Sequence, residues 1–236
     1  MSSLCLSIII PCYNEIDNVI PLTQALEKAL AGLEWEVIFV DDNSPDGTIK
    51  RVRDIAQHNP RIRGIRRIGR RGLSSAVIEG AMSSSAPIIA VMDGDLQHDE
   101  TCLKPMITAL QSGKYDLVVA SRHIEGGRND GLANGWRRAL SQGGIWITQK
   151  LLSSSLTDPM SGCFAIRRSC FDERVEALSG NGFKILLDLV LARSTPLRIH
   201  EVPMIFRNRA HGESKLGLGV MVSFAIMVLK KVISKR

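Results

Sequence analysis

Apolar residues in the first half of this chain form continuous runs of strand length and do not alternate with polar residues. The runs cover residues 4–11, 35–42, 87–93 and 115–121. A continuous apolar run is typical of a strand whose sheet is covered on both faces. The pattern therefore predicts a sheet with helices on both sides.

Helical patterns lie between these runs. They cover residues 18–31, 47–57, 72–84 and 99–112, and Pro21 falls in the first turn of the first helix, where proline is tolerated. Strands that alternate with helices in this way predict a mostly parallel, doubly wound sheet of the α/β class.

The pattern is weaker after residue 122. Here the sequence predicts a glycine-rich loop over 126–135, helices over about 135–152 and 183–193, a short strand near 163–167, and a strand-like segment over 197–206. We find neither an internal repeat nor a linker, and 236 residues suit one large domain. A single domain is therefore expected.

Polar clusters follow four of the predicted strands. They are "PCYNE" at 11–15, "DDNSPDGT" at 41–48, "DGDLQHD" at 93–99 and "SRH" at 121–123. In open α/β sheets, ligands bind beyond the carboxyl ends of the strands. The four clusters are therefore predicted to meet at one edge of the sheet and to form a ligand site there.

Composition and charge narrow the choice of ligand. Lys and Arg number 30 against 24 Asp and Glu, and this net charge of +6 favours an anionic partner such as a phosphate-bearing substrate, a membrane surface or nucleic acid. Nucleic acid is the weakest of these, since only 5% of the residues are aromatic and no recognition motif occurs. Five scattered cysteines and the absence of a signal peptide indicate a reducing, cytosolic compartment.

The acidic pair Asp93 and Asp95 indicates a metal site. The chain lacks both the G-x-G-x-x-G fingerprint after its first strand and the G-x-x-x-x-G-K-[ST] phosphate loop. Hard divalent cations such as Mg²⁺ often take one or two carboxylates and complete their shell with substrate phosphates. A surface turn whose Asp side chains cap the next helix is the alternative explanation of this pair.

Seven segments also occur in a characteristic order. They are "IIIPCYNE", "VDDNSPDGT", "DGDLQHDE", "SRH", "TDPMSGCFAIRR", "GFKILLDL" and "FRNRAHGESKL". In these segments, over about residues 6–216, the chain resembles the dolichol-phosphate mannose synthases of glycosyltransferase family 2. The resemblance implies the GT-A fold, a Rossmann-like form of the α/β class. It also implies inverting transfer of mannose from GDP-mannose to dolichyl or another polyprenyl phosphate.

The resemblance implies roles for residues in the polar clusters. The donor-binding residues would be Pro11, Tyr13, Glu15, Asp42, Asp93 and Gly94. The metal ligands, for Mg²⁺ or Mn²⁺, would be Asp93, Asp95 and Gln97, and the catalytic residues Asp93, Asp95 and Arg122. Relatives usually have alanine between the two aspartates, where this chain has Gly94.

The acceptor phosphate is expected to bind basic and hydroxyl side chains. The resemblance assigns this role to Arg122, Arg137, Ser141, Arg209 and Lys215, with Arg138 and Arg207 as rivals. A polyprenyl phosphate is already an anion, so that no general base is needed to remove a proton from it. Asp158 is therefore interpreted as a positioning residue, and Ser161–Gly162 as a loop of close approach.

The C-terminal segment 216–236 suggests contact with a membrane surface. Its apolar part, 216–229, has 14 residues, too few to span a bilayer, which takes about 20. The cations Lys230, Lys231, Lys235 and Arg236 follow, as in an interfacial helix on anionic headgroups. We therefore expect a catalytic domain over 1–215, an amphipathic helix over 216–236, and a peripheral protein at the cytosolic face of a membrane. A core helix or the start of a membrane segment are the alternatives for this tail.

Two other functions stay open at this point. One is glucose transfer from UDP-glucose to a polyprenyl phosphate, against which the segments "DDNSPDGT" and "GESKL" count. The other is a nucleotide-sugar-binding subunit without catalysis. A small membrane subunit is a further open partner, whereas no nucleic acid is expected.

Overall fold

Strands and helices alternate through the first half of the chain, as the apolar runs predict. The computed structural model describes residues 4–129, 156–180, 182, 184–192 and 195–208. The elements of the first half are β1 (Leu6–Cys12), α1 (Ile16–Ala29), β2 (Trp35–Asp41), α2 (Thr48–Ala56), β3 (Ile62–Arg66), α3 (Leu73–Met82), β4 (Ile88–Val91), a 3₁₀ turn (Glu100–Cys102), α4 (Leu103–Gln111) and β5 (Leu117–Ser121).

The second half contributes shorter elements. They are β6 (Arg128–Asn129), β7 (Phe164–Arg167), α5 (Arg168–Val175), α6 (Ile185–Leu191), β8 (Ile199–Pro203) and β9 (Ile205–Phe206). The strand-like segment predicted over 197–206 is thus divided at Met204 between two strands. Neither β3 nor α5 was predicted. Strand β3 alternates arginine with apolar residues at the sheet edge, and α5 buries only Phe171 and Arg174.

The main sheet has seven strands within the described residues, in the order β3-β2-β1-β4-β7-β5-β8. Strand β7 runs antiparallel to both of its neighbours, β4 and β5, whereas the other neighbouring pairs are parallel. Strands β6 and β9 form a separate parallel pair. The prediction of a mostly parallel sheet is confirmed, with one reversed strand in its interior.

Both faces of the sheet are buried, which explains the continuous apolar runs. In β1, Ile8 and Ile10 belong to one apolar cluster, together with residues of α1 and α4. Ile9, between them, belongs to a second cluster on the opposite face, together with residues of α3 and α6. Helix α3 lies especially close, since a Cβ atom on Gly80 would stand 2.5 Å from Ile9 Cγ2.

Several predicted segments lie outside the described residues. They are the helix over 135–152, the glycine-rich loop beyond Asn129 and the C-terminal helix over 216–236. In the part of the chain that the structure does describe, no helix has the length and apolar character needed to cross a bilayer.

Candidate active site

Two loops at the carboxyl ends of β1 and β2 hold each other in place. Three backbone amides of the first loop donate to side chains of the second: Asn14 N to Ser44 Oγ at 2.9 Å, Glu15 N to Thr48 Oγ1 at 3.0 Å, and Ile16 N to Asp46 Oδ2 at 3.1 Å. The first N–H groups of a helix have no hydrogen-bond partners within the helix. These three side chains accept hydrogen bonds from such amides at the start of α1. Much of the "DDNSPDGT" motif is therefore structural.

The turn after β4 lies against the loop after β1. A Cβ atom on Gly94 would stand 3.2 Å from Ile10 Cγ2 and 3.8 Å from both Glu15 Cγ and the carbonyl oxygen of Pro11. The structure thus brings together Pro11, Glu15 and Gly94, three of the residues predicted to bind the donor.

Tyr13, another predicted donor-binding residue, lies under a cation. The guanidinium carbon of Arg71 is 4.4 Å from the centroid of the Tyr13 ring, within the range of a cation–π interaction. Arg71 is exposed and follows β3, so that it adds positive charge to the edge where the donor is expected. The sequence analysis gave this arginine no role.

Asp42 is engaged in a buried network. Its Oδ1 accepts from Arg67 Nη1 at 2.8 Å, and its Oδ2 accepts from Gly72 N at 2.8 Å. Arg67 is only 1% exposed and also donates to Ser75 Oγ at 2.6 Å. Asp42 thus fixes the loop between β3 and α3, and its predicted contact with the donor stays a prediction.

Asp93 and Asp95 differ in exposure although only Gly94 separates them. The Asp93 side chain is 34% exposed, whereas Asp95 is buried. Asp95 Oδ1 accepts from the backbone amide of Gln97 at 3.1 Å, which closes a tight turn. Leu96, between Asp95 and Gln97, has a φ of 62°, a left-handed conformation that is uncommon for a residue with a side chain. The turn therefore presents Asp93 outward and holds Asp95 inward.

Gln97 is fixed by the chain after β9. Its Nε2 donates to the carbonyl oxygen of Arg207 at 3.0 Å, and Arg207 N donates back to the Gln97 carbonyl oxygen at 2.8 Å. The Arg207 guanidinium pairs with Asp99 at 3.0 Å and Glu100 at 2.8 Å. Arg207, an alternative candidate for binding the acceptor phosphate, thus stabilises the turn that contains Asp93 and Asp95.

The loop that enters β7 reaches both sides of the site. A Cβ atom on Gly162 would stand only 2.7 Å from Asp93 Oδ2, so that this position admits no side chain without a shift. Ser161 Oγ donates to the carbonyl oxygen of Ala120 at 2.7 Å and ties the same loop to β5. Gly162 thus lies closely against Asp93, and the role of the Ser161–Gly162 loop beside a substrate stays a prediction.

Arg122 and Asp158 form a two-bond ion pair. Arg122 Nε donates to Asp158 Oδ2 at 2.7 Å, and Nη2 donates to Oδ1 at 2.9 Å. The Asp158 side chain is 0% exposed. Burial raises the pKa of Asp158, but the hydrogen bonds and positive charge of Arg122 outweigh burial, and the pKa lies below its usual value. Asp158 is therefore an ionised carboxylate that orients Arg122.

Lys184 is a candidate site residue that the sequence analysis missed. It is partly buried, and its Nζ donates to the carbonyl oxygen of Met160 in the loop that enters β7, at 3.5 Å. Burial lowers the pKa of this ammonium; the charges of Asp93 and Asp158 oppose the effect, while Arg122 adds to it. The segment "GFKILLDL" contained the residue, but no spacing linked it to the acidic pair.

Four predicted acceptor-binding residues lie outside the described residues. They are Arg137, Ser141, Arg209 and Lys215. The same holds for Arg138, the other rival. Of the predicted acceptor group, the structure places only Arg122.

The acidic turn suits a metal ion that a substrate helps to hold. Among the described residues, no three His, Cys, Asp or Glu side chains are grouped to hold a metal by themselves. Asp93, Asp95 and Gln97 offer two carboxylates and an amide oxygen, the hard oxygen ligands that Mg²⁺ and Mn²⁺ take. Gly162 leaves the space beside Asp93 Oδ2 free of a side chain. These residues fit a divalent cation whose shell is completed by phosphate oxygens.

Comparison with protein families and curated proteins gives consistent matches. Residues 7–175 match the model of glycosyl transferase family 2. A dolichol-phosphate mannosyltransferase of Pyrococcus furiosus is 38% identical over 214 residues, which are 89% of this chain and 58% of that protein. The enzyme of the same name from Mycosarcoma maydis is 35% identical over 92% of this chain and 76% of its own length. The enzyme of the same name from Saccharomyces cerevisiae is 33% identical over 92% of this chain and 83% of its own length. The chain thus spans less than two thirds of the Pyrococcus protein.

Solved structures show which fold this is. Glucosyl-3-phosphoglycerate synthase of Mycobacterium tuberculosis, in complex with Mn²⁺, UDP and glucosyl-3-phosphoglycerate, has a TM-score of 0.69 at 19% identity, over 98% of this chain and 80% of that chain. A complex of the same enzyme with Mn²⁺, UDP-glucose and phosphoglyceric acid has a TM-score of 0.70 at 20% identity. The match covers 98% of this chain and 79% of that chain. The expectation of a GT-A fold is confirmed.

Arg122→Ala is expected to destabilise the chain by about 3–5 kcal/mol, because the variant leaves the buried Asp158 carboxylate without a counter-charge. Chemical denaturation at neutral pH measures this loss. Since the pKa of Asp158 is lower in the folded chain than in the unfolded chain, the stabilisation is present above about pH 4 and is lost as the pH falls through the folded-state pKa.

A matched control for this experiment is Arg198→Ala. Arg198 makes the same two-bond contact with Asp116, at 2.9 and 2.7 Å, but on the surface. Its removal is expected to cost clearly less than removal of Arg122, because water can solvate the remaining carboxylate. Equal losses from the two substitutions would contradict burial as the cause.

Proposed function

Because the chain belongs to glycosyl transferase family 2, among the dolichol-phosphate mannosyltransferases, we propose that it transfers mannose from GDP-mannose to the phosphate of dolichol or another polyprenyl lipid. The transfer inverts the anomeric carbon. The observation that carries the proposal is the contact between Gly162 and Asp93. It joins the acidic turn to the loop that holds Arg122, and so brings the proposed donor and acceptor sides within reach of each other.

The donor side is supported by the contacts after β1 and β4. Pro11, Tyr13 and Glu15 lie at or just after the carboxyl end of β1, and Pro11 and Glu15 lie next to Gly94. A carboxylate such as Glu15 accepts hydrogen bonds from guanine N–H groups or ribose hydroxyls. The ring of Tyr13, held under Arg71, offers an aromatic face to the nucleoside.

Asp93, Asp95 and Gln97 would hold the divalent cation. When bound, the ion stabilises the negative charge that develops on the departing diphosphate, as a Lewis acid does. Asp95 and Gln97 are fixed by the turn and by Arg207, whereas the more exposed Asp93 lies closely against Gly162. The fold thus holds the Asp95 and Gln97 side chains in place before substrate arrives.

The acceptor side needs a cation and does not need a base. An ionised phosphate attacks without losing a proton, so that the ionised Asp158 has no proton to accept. Its task is to aim the Arg122 guanidinium, whose planar donors suit a phosphate group. We propose that Arg137, Ser141, Arg209 and Lys215 complete the phosphate site.

The remaining proposals concern the cellular setting. The catalytic domain covers residues 1–215, and residues 216–236 form an amphipathic helix that lies on a membrane surface. The protein is peripheral at the cytosolic face, where the lipid acceptor resides in the bilayer. A small membrane subunit would be a further partner.

A donor panel tests the proposed reaction. The purified full chain is incubated with polyprenyl phosphate in membranes or detergent and with radiolabelled GDP-mannose, UDP-glucose or GDP-glucose. GDP-mannose is expected to label the lipid, and the other donors to label it weakly or not at all. Labelling from UDP-glucose alone would identify a glucosyltransferase, and nucleotide binding without any transfer would identify a non-catalytic subunit.

Removal of the metal is expected to abolish transfer. EDTA should stop the reaction and excess Mg²⁺ or Mn²⁺ should restore it. Asp95→Asn should lower kcat/KM on the order of 100-fold, since the metal contributes several kcal/mol to the transition state. The control is Asp54→Asn, which changes an exposed carboxylate on α2. Full activity in EDTA would remove the metal from the mechanism.

The two glycines beside the acidic turn should respond differently to alanine. Gly162→Ala would place a Cβ atom 2.7 Å from Asp93 Oδ2 and should lower kcat by about 100-fold through misplacement of that carboxylate. In Gly94→Ala the nearest atom to the added Cβ would be Ile10 Cγ2 at 3.2 Å, with Glu15 Cγ and the Pro11 carbonyl oxygen at 3.8 Å, and this variant should stay active. Thermal unfolding is measured for both variants. A fully active Gly162→Ala enzyme would contradict the proposed place of Asp93.

A further inference from the structure

Lys184 places an ammonium group between the two sides of the candidate site. Its Nζ donates to the carbonyl oxygen of Met160, between Asp158 and Gly162, at 3.5 Å. Two residues before Lys184, the carbonyl oxygen of Gly182 accepts from Ser74 N at 3.2 Å, where α3 begins. The lysine therefore lies in a segment that connects the loop entering β7 with the start of α3.

The position of Lys184 is fixed by the helix that follows it. Leu186 and Leu187 of α6 are buried in the fold. Asp188, also on α6, accepts hydrogen bonds at Oδ2 from Ser179 N at 2.7 Å and from Ser179 Oγ at 2.8 Å. Lys184 thus stands directly before a well-packed helix, which fixes the position of its backbone.

The protein itself offers this ammonium little compensation. Within the described part of the chain, the long bond to Met160 is its single hydrogen bond, and the acceptor is a neutral carbonyl. Two carboxylates act on its charge, of which Asp93 is a proposed metal ligand and Asp158 uses both oxygens for Arg122. A partly buried charge with one weak partner is costly unless another group neutralises it.

The proposed reaction brings two anions to this place. The donor carries a diphosphate next to Asp93, and the acceptor carries a phosphate next to Arg122. Both side chains act electrostatically on Lys184. An ammonium is a compact charge with three donors, which suits a phosphate oxygen.

We propose that Lys184 binds a phosphate oxygen of a substrate in the reacting complex. The proposal rests on the proposed function and deepens it by adding a residue to the site. The oxygen belongs either to the donor diphosphate or to the acceptor phosphate, and the two sources are separated by experiment.

The test uses the full chain and three substitutions. Lys184→Gln removes the charge, Lys184→Arg keeps a charge, and Lys114→Gln is the control, since Lys114 is exposed in the turn before β5. The affinity for GDP is measured by calorimetry with Mn²⁺ or Mg²⁺. Binding of a short polyprenyl phosphate is measured without donor, and its KM is measured with saturating GDP-mannose.

Lys184→Gln is expected to weaken binding of one of the two ligands by about 10- to 100-fold, as for the loss of a charge-assisted hydrogen bond. Lys184→Arg should recover part of that loss, and Lys114→Gln should behave as the unsubstituted chain. A weaker GDP affinity assigns the lysine to the donor, and a higher KM for the lipid phosphate assigns it to the acceptor.

The proposal is overturned if Lys184→Gln leaves both affinities unchanged, including the case in which only kcat falls. It is also overturned if Lys184→Arg shows the full loss together with the same fall in thermal stability, which would mark a structural role. If the glutamine variant does not fold, Lys184→Met, which keeps the length of the side chain, takes its place. A chain that binds GDP and lipid phosphate but transfers no mannose would refute the proposed function, while the binding measurements would still decide the role of Lys184.

Discussion

The buried ion pair between Arg122 and Asp158 is the interaction on which the geometry of the site depends. Parallel strands β4 and β5 end at the same edge of the sheet, and the antiparallel β7 between them begins there. The ion pair fixes the loop entering β7 to the end of β5, and Gly162 of that loop then meets Asp93 at the end of β4. Because desolvation offsets most of the Coulomb attraction in such a pair, we interpret it as fixing a position and not as adding much net stability.

The polar residues at the strand ends divide into two groups with different tasks. Ser44, Asp46 and Thr48 satisfy backbone amides of the neighbouring loop, and Asp42 neutralises the buried Arg67. Their contribution to binding is indirect, since they give the donor loop one shape. The second group, around Asp93, keeps charged atoms at the surface of the site. Such a division follows from burial, because a buried polar group must be paired within the protein, whereas a partly exposed one is also accessible to a ligand.

Much of the fold could be predicted because its signal is local. The predicted run 35–42 corresponds to β2 (Trp35–Asp41) almost residue for residue, since each residue of this strand is buried. Strand β3 was missed because an edge strand is half exposed, and its arginines break the apolar run. The reversed direction of β7 could not be predicted from the sequence, because a strand of four residues, three of them buried, has the same apolar pattern in either direction.

The sequence by itself predicted a mostly parallel sheet covered by helices and placed the acidic pair after one of its strands, and its motifs indicated the family. These properties depend on residues that are neighbours along the chain, or on the period of the apolar pattern. Only the tertiary structure decided which groups meet at that edge: Gly162 with Asp93, Asp158 with Arg122, and Lys184 with the carbonyl oxygen of Met160. These residues come from distant parts of the chain, and whether a charge there is paired, buried or available depends on packing that no local pattern contains.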